Sequence, residues 1–294
     1  MILDGVEFLQ AVVFGLVEGS VIAVGAVGLT LSYGVTRFIN FAYGEFLAYG
    51  AFLTLFLTGA WAGLSIPLPV AAILAVVLVG VLGVAVSRVF FRPISDRGAL
   101  PLLITSIGVA FVLRYLLTAG ASAEARQLPI PLMRPMELAG IRITLLELGV
   151  VVVSIATMVA VHLLLQKTML GKTMRATSGN EALAEVAGID TAGVIRKTWF
   201  ISAAAGGLAG VLYAILFAPF RPTFGFGYLI VIFAATLLGG IGRPYGAMLG
   251  AVLIGLMISL GSTYLTASYD QAYAFLVLVL VLLFRPEGIR GGEF

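Results

Sequence analysis

Long runs of mostly apolar residues recur from Phe8 to Phe284, and nearly every charge lies between them. This pattern constrains the chain more than any motif. A helix needs about twenty such residues to cross a bilayer, and lipid offers an exposed backbone no hydrogen-bond partner. Of the 294 residues 61% are hydrophobic and 11% are charged, with a mean hydropathy of +1.13. A soluble domain carries roughly 25% charged residues. The expectation is an all-α polytopic membrane protein, one transmembrane domain over residues 1–294. Its 36 glycines suit close helix packing in lipid.

Eight or nine hydrophobic segments can be read. They run from about Phe8 to Leu31, Phe38 to Leu57, Ile66 to Val86, Leu100 to Thr118, Ile143 to Leu165 and Thr198 to Ala218, then Tyr228 to Leu238, Ala247 to Leu265 and Gln271 to Phe284. The Tyr228–Leu238 run is too short to cross untilted, and Gly239 to Gly246 breaks it, so the 228–246 region is expected to be broken or re-entrant. Trp61 marks an interfacial turn, and Pro129, Pro131 and Pro135 mark a loop.

Basic residues set the orientation. Twelve of the 17 Lys and Arg fall in loops that alternate onto one side: Arg37, Arg88–Arg97, Lys167–Lys197, Arg243 and Arg285–Arg290. The positive-inside rule makes that side cytoplasmic and places the N-terminus outside. Loop Arg and Lys account for the net charge of +3 without nucleic acid. Asp4 and Glu7, with no nearby base, argue against a cleaved signal peptide. With no cysteine there are no disulfides or thiolate sites.

The longest polar interruption is 166–197. Ser178 and Glu181 have capping-box spacing. Leu183, Val186 and Ala187 then fall on one side of a short helix that Gly188 is placed to end. An isolated helix this short is marginal in water. It either docks on a partner or packs back as a solvated connector.

Enzyme signatures fail one by one. Gly171-Lys-Thr173 lacks the upstream glycine and strand of a phosphate loop. His162 is the only histidine, so a His-based zinc pair is excluded. No nucleophile elbow is present. No catalytic residue and no metal site are expected. The remaining signal is polarity inside the spans, which usually faces a bundle interior or a polar pathway. Glu18 and Glu45 lead, with Asn40 and Tyr43 near Glu45. These groups either line a path for a zwitterionic solute or bond neighbouring helices. Gly239, Gly240 and Gly242 either open backbone groups to a solute or allow tight packing. Arg114, near the end of its span, is expected to snorkel to the interface. Glu45–Phe52 and Gly242–Leu249 share Tyr-Gly-Ala after a break, a faint internal echo.

Tyr33-Gly-Val-Thr-Arg-Phe-Ile-Asn-Phe-Ala-Tyr-Gly-Glu-Phe46 resembles the signature of LivH-type permeases of branched-chain amino acid ABC transporters. Phe91-Arg-Pro93, the Gly171–Val194 segment with Gly188-Ile-Asp190, Leu238–Ala247 and Arg285-Pro-Glu-Gly-Ile289 match in order. The likeness covers nearly the whole chain. Two positions depart from it: Tyr43 replaces a usual His, and Ser87 a common acid.

The resemblance implies an ABC importer permease of the inner membrane, multi-pass, moving leucine, isoleucine or valine. It implies a second similar permease, two cytosolic ATPases that bind ATP and magnesium, and an extracellular or periplasmic binding protein. This chain would hold no cofactor. Residues 166–197 would be the cytoplasmic coupling loop, with Ser178, Glu181, Leu183, Glu185, Val186 and Gly188 meeting an ATPase groove. The alternatives are the same architecture carrying urea, an amide or another small amino acid, and an ion-coupled secondary transporter working through Glu18 or Glu45.

Overall fold

The computed structural model describes residues 5–59, 65–131, 133–138 and 140–284. Trp61 and the closing Arg285–Ile289 motif lie outside the described residues. The helices are α1 (Gly5–Thr36), α2 (Tyr43–Leu57), α3 (Leu68–Val86), α4 (Ala99–Ala121), α5 (Leu145–Lys167), α6 (Met169–Gly179), α7 (Glu181–Val186), α8 (Thr191–Leu216), α9 (Phe224–Gly239), α10 (Pro244–Gly261) and α11 (Asp270–Phe284). A small antiparallel hairpin, β1 (Met136–Leu138) and β2 (Ile141–Ile143), precedes α5. Among the described residues six helical stretches are long and apolar enough to cross a membrane, and α2, α9 and α11 add shorter apolar helices.

Burial divides the bundle. α1, α2, α8, α9 and α10 share the core, with Ile22, Phe46, Leu47, Trp199, Ile232 and Ile254 almost fully buried. α3, α4 and α5 turn Ile73, Ile104, Leu116 and Val152 outward. Apolar side chains exposed around a bundle suit lipid or a partner helix rather than water. Glycine sets the inner spacing. A Cβ on Gly255 would fall 2.4 Å from the backbone of Gly19, and one on Gly210 would fall 1.9 Å from the carbonyl of Leu47. The α1–α10 and α2–α8 contacts therefore run backbone to backbone.

Arg37, Arg88, Arg92, Arg175, Arg196 and Arg243 gather at one end. Arg37 donates to the Ser178 carbonyl. Arg88, Arg92 and Arg196 border one cavity there, and Arg175 and Arg243 another. At the opposite end Gln10 and Arg142 exchange backbone–side-chain hydrogen bonds of 2.8 and 2.7 Å, and Arg126 pairs with Phe220 through the backbone.

Two helices start inside the bundle. The Phe38–Leu57 stretch is helical only from Tyr43: Arg37 takes a positive φ of 57° and ends α1, and the chain then runs non-helically to residue 42. Tyr43 donates its hydroxyl to the Gly25 carbonyl at 2.8 Å, so α2 begins beside the middle of α1. Its 15 residues span about 22 Å, short of a hydrocarbon core of about 30 Å. α9 is also short, at 16 residues. Its first turn meets that of α2, where a Cβ on Gly44 would lie 2.6 Å from the Gly225 carbonyl.

The 166–197 stretch corrects two expectations. The segment from Ser178 to Gly188 is not one helix, and Ser178 is not its cap. Ser178 lies within α6 and donates to the Gly34 carbonyl. The cap of α7 is Asn180, whose Oδ1 accepts from the Leu183 amide at 3.0 Å. Capping requires extended backbone before the helix; Asn180, at φ −155°, supplies it, and Ser178 does not. Gly188 ends α7, with φ 84° and a Schellman pair of bonds, Gly188 to Glu185 and Ile189 to Ala184.

Candidate functional site

Where the half-length helices α2 and α9 begin, Asn40, Glu45 and Arg114 come to one region. Glu45 sits in the first turn of α2, where a carboxylate complements the helix dipole. Arg114 of α4 reaches it, with Nη2 2.5 Å and Nε 3.1 Å from the same Oε1. The Glu45 side chain is 1% exposed and that of Arg114 14%. Glu45 Oε2 is buried and has no partner among the described residues. The guanidinium also lies 4.8 Å from the ring centre of Phe226 and 5.5 Å from that of Phe111. Arg114 therefore does not snorkel. A buried carboxylate within reach repays its desolvation better than a stretch of about 10 Å to the helix end. The missed signal was the opposite charge of Glu45, itself inside an apolar run.

Asn40 closes the non-helical approach to α2. Its Oδ1 accepts from the Ala42 amide at 3.0 Å, while Nδ2 is buried without a partner among the described residues. Asn40 borders a cavity of about 260 Å³ whose walls are otherwise apolar, including Phe41, Phe226, Ile230, Phe233 and Phe275.

The other candidates are dispersed. Tyr43 is fully buried and its hydroxyl is committed to Gly25; its ring packs on Gly206. Its position gives it a helix-joining contact. A Cβ on Gly239 would lie 2.1 Å from the Gly246 carbonyl, which makes Gly239 an α9–α10 contact. Gly240 and Gly242, at φ 96° and 84°, form the turn between those helices. Gly242 borders the 380 Å³ cavity at the basic end, so none of the three glycines lies at the mid-bundle chamber. Glu18 is partly buried on α1 and within electrostatic reach of Asp270, Tyr213 and Tyr228. That grouping went unread because its members are up to 252 positions apart in a chain of 294 residues.

At the basic end α7 offers a face. Leu183 is 65% exposed and Val186 86%, while Ala184 points inward at 4%. Thr191 donates to Glu185 at 2.6 Å, and Glu181 and Glu185 border a cavity of about 290 Å³ with Arg88, Arg92 and Arg196. The Ser178–Gly34 and Arg37–Ser178 bonds tie this region to the last turn of α1. His162 meets the Tyr245 hydroxyl at 2.8 Å. Among the described residues no group of three His, Cys, Asp or Glu could hold a metal.

Comparison with known proteins places the chain. Residues 11–284 match the family described as branched-chain amino acid transport system permease component. The chain is 32% identical to the high-affinity branched-chain amino acid transport system permease protein BraD of Pseudomonas aeruginosa, over 97% of its length and 96% of the relative's. It is 33% identical to the corresponding LivH protein of Escherichia coli K12, again over 97% and 96%. Among solved structures, PsaBC from Streptococcus pneumoniae in complex with Fab contains a chain that superposes with a TM-score of 0.52, covering 95% of this chain and 92% of that one at 14% identity. At that identity the likeness shows the fold alone.

Proposed function

The chain belongs to the family of branched-chain amino acid transport permeases, and on that premise we propose that it conducts leucine, isoleucine or valine inward as one permease subunit of an ATP-driven importer. The end bearing Arg37, Arg88, Arg175 and Arg243 is then cytoplasmic by the positive-inside rule, and the N-terminus is outside. A second, similar permease completes the pathway. Two cytosolic ATPases bind ATP and magnesium, and a binding protein delivers the amino acid from outside.

The observation that carries this reading is the unpartnered apolar face of α7. Leu183 and Val186 stand exposed on a helix of six residues that is capped at both ends. Laying such a face into a partner's groove is a common recognition mode. Its movement has a path inward. α7 continues from α6, whose Ser178 is bonded to Gly34 at the end of α1, and residues 37–42 lead from there to Asn40 and Glu45. ATPase closure that shifts α7 thus acts on the strap bordering the mid-bundle chamber. The chamber's apolar walls suit an aliphatic side chain, and the lone Asn40 amide donor suits the substrate carboxylate. Differential contacts in two states are all that coupled switching requires.

Reconstitution of the chain in proteoliposomes with its co-purifying permease, ATPases and binding protein tests the assignment. The expected result is uptake of branched-chain amino acids that requires both ATP and the binding protein. Leucine uptake by this chain in vesicles free of any ATPase would overturn it.

A further inference from the structure

A cavity at the basic end has features that docking on an ATPase does not use. It lies where the ends of α1 and α3, the start of α4, α7 and α8 meet, and it encloses about 290 Å³. That is near the lower end of the ~300–1,000 Å³ range of ligand pockets, the scale of a small solute. Its floor is aromatic. Phe91 stacks on Trp199 with ring centres 5.1 Å apart, Phe38 lies 5.2 Å from Phe91, and all three are buried. Its rim carries both signs of charge. Arg88, Arg92 and Arg196 border it, and so do Asp96, Glu181 and Glu185. Among the described residues none of these guanidiniums pairs with any of these carboxylates, so opposite charges face one space without closing it.

Local structure aims these groups. Ser87–Phe91 continue α3 as a π-turn, with the Arg92 amide donating to the Ser87 carbonyl, and Arg88 and Arg92 reach the same cavity. Wide turns of this kind are rare and recur at functional sites. On α7, Glu181 and Glu185 lie one turn apart, about 150° around the helix from Leu183 and Val186. The face that bears Leu183 and Val186 is therefore not the face that borders the cavity, and a partner seated on the first leaves the second in place. Thr191 of α8 donates to Glu185 Oε1 at 2.6 Å, which leaves Oε2 without a partner among the described residues.

We infer that this cavity binds a free zwitterionic amino acid with an apolar side chain from the cytosol, and that its occupancy holds α7 still. A simple anion there meets three carboxylates and a simple cation three guanidiniums, whereas a zwitterion answers both. Its carboxylate accepts guanidinium N–H bonds in fork geometry, and its ammonium donates to Glu181 and Glu185. Its side chain lies on the Phe91–Trp199 stack. Bound in this way it bridges α7 to Arg196 of α8 and to Arg88 and Arg92 beyond α3, which opposes the movement of α7 that import requires. The product of import then slows import from a site distinct from the Asn40 chamber. This regulation rests on the import reading; binding at the cavity does not.

Equilibrium dialysis of labelled leucine against the permease–ATPase complex, in phosphatidylcholine nanodiscs without binding protein, tests the site directly. The expected result is saturable binding that Arg196→Gln weakens roughly tenfold, the scale of one lost charge-assisted hydrogen bond. Unlabelled leucine should displace it, while 3-methylbutylamine and 4-methylpentanoate, which carry the same side chain with one charge each, should not at equal concentration. Arg92→Gln, on a different element, provides the same reading should Arg196→Gln fail to fold, and a thermal melt of each variant verifies folding. In proteoliposomes with ATP inside and loaded binding protein outside, lumenal leucine should slow labelled uptake roughly fivefold, and the arginine variants should escape this. Absence of saturable binding, wild-type affinity in the folded variants, or loss of leucine binding when phosphatidylglycerol is added to the nanodiscs, which marks a lipid headgroup site, overturns the inference. Binding that leaves uptake unslowed overturns the regulation. Intact binding in a complex that takes up no leucine overturns the import reading and leaves the site standing.

Discussion

Arg114 places both Nε and Nη2 on a single oxygen of Glu45, at 3.1 and 2.5 Å, at the first turn of a helix that begins inside the bundle. This pair joins α4, a peripheral helix, to the core helix α2. Phe41 and Tyr49 reinforce the link, through a backbone amide to Ser106 Oγ at 3.1 Å and a hydroxyl to the Leu113 carbonyl at 3.0 Å.

Removing one member of the pair strands the other's charge. Arg114→Met is expected to destabilise the protein by roughly 3 kcal/mol, the usual scale for an orphaned buried charge. The double variant Arg114→Met with Glu45→Gln should recover much of that loss. Thermal melts in detergent of the single and double variants check it; additive losses would show that the pair is not coupled.

The α7 face should matter for coupling and not for folding. Leu183→Asp changes a side chain that is 65% exposed, so stability should move by less than about 0.5 kcal/mol. ATPase co-purification and ATP-driven uptake should both fall to background. A variant that retains its ATPases and transports normally would rule out α7 as the docking helix.

Asn40 tests the chamber. Asn40→Ala removes the free amide donor along with the bond to Ala42. One lost hydrogen bond to a bound solute corresponds to about 1.4 kcal/mol, so leucine uptake at low concentration should fall roughly tenfold while the complex still assembles. Initial-rate uptake across a leucine series separates weaker binding from slower turnover.

Glycine substitutions separate contact from exposure. A Cβ on Gly210 would collide with the Leu47 carbonyl, whereas Gly108 has no atom within 4 Å. Gly210→Ala should cost about 1–3 kcal/mol through overpacking. Gly108→Ala should be neutral or stabilising by up to about 1 kcal/mol, from helix propensity. Paired melts in one detergent read the difference.

Much of this was legible from local pattern. Apolar run length forecast the spans, and the alternation of basic loops forecast that Arg37, Arg88, Arg175 and Arg243 would share one end, as they do. The ordered motifs around Tyr33–Phe46 and Leu238–Ala247 pointed to the family, and Gly188 as the stop of α7 followed from its need for positive φ. Local reading misplaced the cap, because Ser178-x-x-Glu181 fits the capping pattern as well as Asn180 fits the observed one. Only the Gly34 carbonyl, 144 positions away, decides that the Ser178 side chain is used elsewhere.

The sequence by itself determined that the chain lives in a bilayer, because the transfer free energy of its apolar runs depends on composition and length alone. It determined the arrangement of the basic ends for the same reason, since charge in loops is additive. Tertiary structure decided what each buried polar group does. Arg114 is an ion-pair partner rather than an interfacial anchor, and Tyr43 joins helices. A hydrogen bond or ion pair depends on a few ångströms between atoms distant in the chain. Those distances arise only when backbone-to-backbone packing at Gly19, Gly210 and Gly255 has fixed how the helices cross.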